Sequence, residues 1–385
     1  MAGIYIHIPF CKQACHYCDF HFSTSLKKKE ELIQCLIQEI ELRKEELQHK
    51  PVETIYFGGG TPSLLTIDEL QLLIDVIYTN FELTETPEIT LEANPDDLTL
   101  EKIVELSKSP VNRLSIGIQS FFEDDLKMMN RAHSAEESKK CLSLATQYFD
   151  NITIDLIYGI PNMSLEKWND NLNIAFSFGV NHISSYALTV EPKTALDSFI
   201  QKGKYPSLDE ALALEHFNHL IKRTEEEGFI QYEISNFGKP NYFSKHNTSY
   251  WQGKWYLGIG PSAHSFLGDQ RSWNVSNNTK YIKVIQNNEL PSTAETLSKI
   301  DMFNEYIMTG LRTIWGVSFN TIETEFGVEF LKHLKTTSQK FIDEGVLTVT
   351  SGAADDNLNN MGKLVTTQKG KFLADGIAAE LFILN

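Results

Sequence analysis

The sequence lacks long hydrophobic runs, a surplus of basic residues and an even set of cysteines. No stretch approaches the roughly 18 uninterrupted apolar residues that predict a membrane span, so a soluble protein is expected. The first residues alternate like a strand, without the basic start and apolar core of a secretory signal, which favours the cytoplasm. Because 34 basic residues stand against 51 acidic ones, the net charge is −17, which argues against nucleic acid as a partner.

The cysteine count indicates metal ligation. There are five cysteines, and three of them lie within eight residues near the start of the chain. This pattern differs from the paired framework of a secreted disulfide protein. Cys35 and Cys141 stand beside leucines in helical patterns and are interpreted as small core residues. Cys11, Cys15 and Cys18 remain as candidate ligands.

Short β-rich runs alternate with amphipathic helical runs through the first half of the chain, which predicts an α/β fold. Repeated β-α units imply parallel strands with right-handed crossovers, and six units form either a doubly wound sheet or an incomplete barrel. The predicted strands are 4–8, 54–57, 88–92, 113–119, 151–157 and 182–188, and the predicted helices are 31–46, 67–78, 100–107, 135–147 and 165–178.

Polar or glycine-rich residues follow most of the predicted strands. They occur at 58–61, 92–95 and 119–120, and Asp155 lies near the end of the fifth strand. In barrels and open α/β sheets alike, the carboxyl ends of the strands form the active face. These residues are therefore expected to converge on one ligand.

The second half of the chain has a different pattern. A helix over 208–227 and a strand over 231–234 precede a stretch rich in glycine and aromatic residues, which is interpreted as a lid or binding element. A mostly helical region follows, and two β-rich runs at 345–349 and 363–366, joined by a turn rich in Asn and Asp, predict a hairpin. The expected domains are a partial barrel at 1–235, a loop-rich connection at 236–295 and a helical, winged-helix-like domain at 296–385.

Cys11, Cys15 and Cys18 have the spacing C-x-x-x-C-x-x-C, directly after the first predicted strand. Thiolates at this spacing can ligate three corners of one iron–sulfur cluster. A zinc site needs a fourth ligand, and His16 and Asp19 lie too close in sequence to supply it comfortably, although a distant histidine could. A three-cysteine cluster leaves one iron open, and an open metal position is where a substrate binds.

The cysteine loop resembles that of the radical S-adenosylmethionine (SAM) superfamily at every cysteine and at the aromatic Tyr17. The resemblance implies a partial (β/α)6 barrel, a [4Fe–4S] cluster, and SAM chelating the open iron through its amino and carboxylate groups. An electron from the reduced cluster can then break the sulfonium bond. The glycines at 58–60 fit this interpretation, because they let backbone approach the SAM amino group without a clash.

Six further motifs narrow the resemblance to the branch that contains oxygen-independent coproporphyrinogen III oxidase. They lie at 7–11, 57–63, 91–95, 115–120, 130–133 and 155–161. Carboxylates such as Glu92 and Asp155 can accept hydrogen bonds from an amino group or ribose hydroxyls, and Arg131 can bind a carboxylate in a fork. Taken singly, each is equally consistent with a structural polar residue. The SAM contacts that the resemblance implies are Tyr5, Tyr17, Gly59, Gly60, Thr61, Glu92, Gln119, Arg131, Asp155 and Ala187.

Two departures separate the chain from the oxidase pattern. Phe20 stands where the oxidase motif has a further cysteine, and the first strand begins almost at once, whereas the oxidase carries a segment ahead of it. The stretch 246–251, H-N-T-S-Y-W, resembles the H-N-x-x-Y-W signature of the heme chaperones called HemW. An imidazole can ligate heme iron while aromatic rings cover the porphyrin, so His246 is a candidate axial ligand. The alternative is a surface-loop histidine beside two packed aromatics.

The leading hypothesis is a cytoplasmic heme chaperone that carries a [4Fe–4S] cluster and SAM, binds heme and passes it to acceptor proteins such as respiratory enzymes. A low-potential electron donor is a further expected partner. The alternatives are an oxidase that decarboxylates coproporphyrinogen III and a radical enzyme acting on some other substrate. Peripheral membrane association and a homodimer remain open at this point.

Overall fold

The computed structural model describes residues 1–350 and 362–384. Six strands pair in parallel in the order of the chain. They are β1 (Ala2–Ile8), β2 (Val52–Gly59), β3 (Leu83–Ala93), β4 (Arg113–Gln119), β5 (Ile152–Tyr158) and β6 (His182–Ala187). The predicted α/β class and the six parallel strands are confirmed, with boundaries within a few residues of those predicted.

Helices connect these strands and agree with the predicted amphipathic runs. Two of them begin with a capping box, in which a Ser or Thr side chain and an acidic side chain satisfy each other's free backbone N–H groups. Thr66 pairs with Glu69 in one box, and Ser134 pairs with Glu137 in the other. The helices are α1 (Lys29–Leu42), α2 (Ile67–Asn80), α3 (Leu100–Leu106), α4 (Glu123–Met128), α5 (Ala135–Ala145) and α6 (Leu165–Ser177).

The two faces of the sheet differ in chemistry. In β1, Ile4, Ile6 and Ile8 are fully buried in the hydrophobic core. Successive side chains of a strand point to opposite faces, so Tyr5 and His7 lie on the other face. That face carries polar and aromatic side chains from several strands, among them Tyr56, Glu92, Ser115, Thr153, Asp155 and Ser184. The fold therefore places a polar surface on one face of the sheet.

The stretch 236–295 differs from the expected loop-rich connection, because it adds strands to the same sheet. Its strand Trp255–Ile259 pairs in parallel with β1, and the further strands lie at both edges of the six parallel ones. Strands of three to five residues are too short to give a clear alternation in the sequence. Ahead of this stretch lie α7 (Ala195–Gln201), α8 (Glu210–Glu226) and β7 (Ile230–Glu233). From residue 236 onward the elements are β8 (Asn236–Gly238), α9 (Lys245–Trp251), β9 (Trp255–Ile259), β10 (His264–Phe266), β11 (Gln270–Asn274), α10 (Asn278–Ile285) and β12 (Ser292–Thr296). The full strand order is β12-β11-β10-β9-β1-β2-β3-β4-β5-β6-β8-β7.

The C-terminal region has its own hydrophobic core around Phe303, Ile307, Leu334 and Leu364. A small antiparallel sheet has the order β13-β15-β14 and contains both strands of the predicted hairpin, whose Asn- and Asp-rich turn lies outside the described residues. The elements are α11 (Lys299–Leu311), β13 (Val317–Ser318), α12 (Phe319–Thr321), a π-helical turn (Ile322–Phe326), α13 (Val328–Asp343), β14 (Leu347–Thr350), β15 (Lys363–Thr366) and α14 (Ala374–Leu381). The domain limits at 235 and 295 stay a prediction.

Arg312 joins the C-terminal region to the large sheet. Its guanidinium donates to Glu233 Oε1 at 2.9 Å and to both carboxylate oxygens of Asp375 at 2.6 and 2.7 Å. It also lies over the ring of Trp251, 5.1 Å from the ring centroid. Across residues 1–350 and 362–384, no helix has both the length and the apolar character needed to cross a membrane.

Candidate cluster and ligand site

The three clustered cysteines lie on the loop that follows β1. The loop is closed at its base, because the Cys11 N–H donates to Ser23 O at 3.1 Å and the Ser23 N–H donates to Pro9 O at 2.8 Å. Cys11, Cys15 and Cys18 are free, half-buried thiols, and all three line one cavity. The structure thus brings the predicted ligands together at the carboxyl end of the first strand.

The donor set suits a cluster better than a single ion. In the described part of the chain, no group of three or more His, Cys, Asp and Glu side chains is placed to hold one metal ion. A zinc ion would need its ligands to converge on one point, whereas the irons of a cubane can each take one thiolate. Three thiols that line one cavity suit a cluster in which each thiolate binds a different iron.

Burial keeps Cys11 and Cys18 protonated when no metal is bound. It raises the pKa of Cys11, and it raises the pKa of Cys18 to about 11. Metal ligation requires the thiolate, so assembly of a cluster must release these protons. The guanidinium of Arg131 lies 3.2 Å from Cys15 Sγ.

The cavity has a volume of about 710 Å³ and extends from the cysteine loop over the polar face of the sheet. Most of the predicted SAM contacts lie in its wall. Tyr5 is outside the wall, since it stacks on Tyr56 and donates to His7 Nδ1 at 3.1 Å. Ala187 is also outside it, next to the lining residue Tyr186. The eight predicted contacts that line the cavity are Tyr17, Gly59, Gly60, Thr61, Glu92, Gln119, Arg131 and Asp155.

Two half-buried carboxyl groups face the cavity. Glu92 accepts hydrogen bonds from the Gly59 N–H at 3.1 Å and from the Tyr56 hydroxyl at 2.8 Å, and burial raises its pKa. Burial and the nearby charge of Glu92 raise the pKa of Asp155 to about 7. Asp155 can therefore either donate or accept a hydrogen bond near neutral pH.

Arg131 is held rigidly beside the cysteine loop. It donates to Asn94 Oδ1 at 2.7 Å and to Gly117 O at 3.0 Å, besides its contacts with Cys15 Sγ and the Tyr17 hydroxyl. Its Nε is buried without a hydrogen-bond partner among the described residues. A buried donor without a partner is costly, so this guanidinium suits an anionic ligand such as a carboxylate.

Gly60 lets the end of β2 lie against the cysteine loop. Its N–H donates to Ile8 O at 2.9 Å, and a Cβ at this position would lie 2.6 Å from the backbone oxygen of Phe10. Backbone atoms on both sides leave no room for a methyl group. The cysteine loop therefore takes its position from a glycine that the sequence analysis assigned to SAM.

Gly60→Ala is expected to lower the free energy of unfolding by about 1–3 kcal/mol, because the added methyl group displaces the loop backbone. It should also reduce the iron incorporated on anaerobic reconstitution. Denaturant unfolding and iron analysis measure the two effects. Gly376→Ala is the matched control, since a Cβ there has no atom within 4 Å. Equal effects of the two substitutions would contradict this role of Gly60.

The structure places His246, the candidate axial heme ligand, away from the cavity wall. His246 is 1% exposed and lies outside the cavity wall, stacked on Tyr56 with 4.8 Å between ring centroids. Nδ1 is 2.7 Å from Thr54 Oγ1, and Nε2 is 2.7 Å from the Tyr250 hydroxyl. Both ring nitrogens are thus used inside the protein. From the same motif, Asn247 and Trp251 do reach the cavity.

The buried ring of His246 makes a pH-dependent contribution to stability. Burial, with a smaller effect of the Arg113 charge, lowers its pKa to about 3. Between pH 6.5 and about 3 the unfolded chain binds a proton that the folded chain does not, so stability falls as pH falls. Other buried histidines, including His7 and His133, act in the same direction.

His246→Phe is expected to reduce the loss of unfolding free energy between pH 7 and pH 5 by about 2 kcal/mol relative to the wild type. The variant removes one buried group that must stay neutral. Denaturant unfolding at a series of pH values measures the loss. His49→Asn, which removes an exposed ring, is the control. A pH dependence in His246→Phe identical to that of the wild type would show that His246 is protonated in the folded protein.

Several cavity residues were not predicted from the sequence. Tyr56, Ser184 and Asn236 lie in strands whose polar positions look like ordinary solvent-facing ones. Arg113 begins β4 and is 1% exposed, although the sequence analysis treated it only as the start of a strand. The sequence offered one indication of a role for Arg113, which is a charged residue at the start of a mostly apolar strand. Charged side chains are seldom fully buried without a partner.

Comparison with known proteins agrees with this geometry. The Radical SAM superfamily model matches residues 5–175, and the HemN C-terminal domain model matches residues 297–353. A solved structure of coproporphyrinogen III oxidase (HemN) from Escherichia coli superposes with a TM-score of 0.83 at 22% identity, over 99% of this chain and 90% of that chain. At that identity the likeness supports the fold.

Relatives identified by sequence have a higher identity to this chain than the oxidase structure has. The heme chaperone HemW of Bacillus subtilis (strain 168) is 33% identical over 381 residues, which cover 97% of this chain and 100% of the relative. The heme chaperone HemW of Escherichia coli (strain K12) is 38% identical over 267 residues, 68% of this chain and 69% of the relative. The chain therefore belongs to the radical SAM superfamily and, within it, to the family of these HemW relatives.

Proposed function

We propose that this chain is a heme chaperone of the cytoplasm, which binds heme and delivers it to acceptor proteins while carrying a [4Fe–4S] cluster and SAM. The observation that carries the proposal is the similarity over nearly the whole chain to relatives named heme chaperone. Membership of the radical SAM superfamily implies the cluster and SAM. Respiratory enzymes as acceptors and a low-potential electron donor belong to the same proposal.

In this proposal the residues at the cysteine end of the cavity hold the two cofactors. Cys11, Cys15 and Cys18 each bind one iron, and Arg131 binds the methionine carboxylate of SAM. Glu92 accepts a hydrogen bond from the amino group of SAM, as it already accepts one from the Gly59 N–H. With SAM bound, the reduced cluster would supply one electron that cleaves the sulfonium bond of SAM.

Phe20 favours the chaperone over the oxidase. Its side chain is 69% exposed and forms part of the rim of the cavity, where the oxidase pattern has a cysteine. A phenyl ring can neither ligate a metal nor exchange a hydrogen atom as a thiol can, but it offers a flat apolar surface to a macrocycle. Phe22 and Trp251 add two further aromatic side chains to the same cavity. These rings, rather than His246, are the proposed contacts of the porphyrin face.

Heme titration of the reconstituted protein, run beside an oxidase assay, tests the proposal. A stable complex with a shifted Soret band is expected, together with no formation of protoporphyrinogen from coproporphyrinogen III, SAM and reductant under anaerobic conditions. Phe20→Ser is expected to weaken heme binding, and Phe121→Leu, a change in the buried core, serves as control. Rapid protoporphyrinogen formation would favour the oxidase, and failure to bind heme would favour a radical enzyme on another substrate.

A further inference from the structure

The amino end of β4 holds a buried charge that the proposed cofactor contacts do not use. Arg113 is the first residue of β4, while Gln119, a predicted SAM contact, is the last. The Arg113 side chain is 1% exposed, yet it lines the same cavity as the cysteines. Because the cysteine loop follows the carboxyl end of β1, Arg113 lies toward the opposite end of the parallel strands.

Arg113 has few partners for a buried guanidinium. Nη2 donates to Thr153 Oγ1 at 2.5 Å, and this is its one side-chain hydrogen bond in the described part of the chain. Nε is buried without a partner. No ion pair of Arg113 is found within residues 1–350 and 362–384. A guanidinium carries five N–H donors, so most of its capacity is free.

The neighbouring carboxyl groups are engaged elsewhere. Glu88 accepts the backbone N–H groups of Lys245 at 3.2 Å and His246 at 3.1 Å, at the start of α9. Glu92 is bonded to the Gly59 N–H and to the Tyr56 hydroxyl. Asp155 also lines the cavity and is acted on by the Arg113 charge, and its carboxyl group is hydrogen-bonded to Ser184. In the described residues no carboxylate oxygen lies within 4 Å of a nitrogen of Arg113. A buried cation without a close ion pair is unfavourable, so an anion that enters the cavity would be bound favourably there.

The surrounding side chains are suited to a carboxylate. Ser115, Thr153, Ser184 and Asn236 line the same cavity as Arg113, and each carries a hydroxyl or amide group. A carboxylate can accept two parallel N–H bonds from a guanidinium, and hydroxyl donors can complete its coordination. The site thus joins one buried cation to small neutral polar groups.

We propose that Arg113 forms a second carboxylate subsite, at the end of the cavity remote from the cysteines. The first carboxylate position, beside Arg131, is the one proposed for SAM. A heme carries two propionates, so a propionate is the carboxylate that the subsite receives, and this choice of source rests on the proposed function. The methionine carboxylate of SAM is the other source with the same chemistry.

A simple carboxylate probes the subsite without heme. Sodium propionate, compared with sodium chloride at equal ionic strength, is expected to raise the melting temperature of the cluster-loaded wild type and not that of Arg113→Met. Arg113→Gln keeps a polar side chain and is the second variant if the methionine variant does not fold. Arg223→Met, on the outer helix α8, should respond as the wild type does. An equal response of all variants to propionate would overturn the subsite.

Comparison of heme with heme dimethyl ester shows whether the carboxylate bound at Arg113 comes from heme or from SAM. The wild type should bind heme at least about tenfold more tightly than heme dimethyl ester, a preference that Arg113→Met should lose while its SAM affinity stays unchanged. A drop in SAM affinity with an unchanged heme-to-ester ratio would overturn the propionate assignment in favour of SAM. If the wild type binds no heme, the proposed function fails, but the propionate experiment still decides whether the subsite exists.

Discussion

Cys15→Ala is expected to abolish the electron paramagnetic resonance signal that the reduced cluster gives in the presence of SAM. Cys11→Ala and Cys18→Ala should do the same, because each thiolate holds a different iron and two ligands cannot retain the cubane. Iron bound after anaerobic reconstitution should fall to the background level. Spectroscopy and iron analysis on the same samples measure both losses.

Cys35→Ala and Cys141→Ala are the matched controls. Both thiols are buried, Cys35 in α1 and Cys141 in α5, and neither lines the cavity. These variants should keep the iron content and the SAM-dependent change of the signal. Retention of that change by all three loop variants would show that other residues hold the cluster.

Arg131→Met is expected to weaken SAM binding by about tenfold to a hundredfold, since a charge-assisted fork to a carboxylate contributes roughly 1.5–3 kcal/mol. The side chain also supports Asn94 and Gly117 O, so some loss of stability will accompany the loss of affinity. Equilibrium binding of SAM to the cluster-loaded protein, with unfolding measured in parallel, separates the two effects.

Arg271→Met provides the control for a lost arginine, because Arg271 lies on β11 away from the cavity and pairs with Glu295. Its SAM affinity should equal that of the wild type. Arg131→Lys, which keeps the charge but not the fork, should fall between the wild type and Arg131→Met. SAM affinity unaltered in Arg131→Met would mean that another group holds the carboxylate.

The sequence contained enough to predict the first six strands, because each joins a β-rich run to an amphipathic helix whose period is clear. Thr66 and Ser134 show why some helix boundaries were also accurate, since a capping residue marks the first turn chemically. The cysteine spacing and the strand ends predicted residues that the structure brings to one cavity, but they account for only part of its wall.

The remaining features depend on distant contacts. β9 has only five residues, and its parallel pairing with β1 joins segments more than 240 residues apart, for which the local pattern carries no signal. His246 was assigned from its motif, but its role follows from Thr54 and Tyr250, which occupy both ring nitrogens. The proposed role of Arg113 rests on its burial and on its few hydrogen-bond partners, neither of which the sequence shows.

The central claim is that SAM occupies an open iron of a three-cysteine cluster at this end of the cavity. Electron–nuclear double resonance on the reduced, reconstituted protein tests it most directly, with SAM labelled by ¹⁵N in the amino group and ¹⁷O in the carboxylate. Hyperfine coupling of both labels to the cluster is predicted. A reduced cluster that binds near-stoichiometric SAM without coupling to either label would contradict the claim.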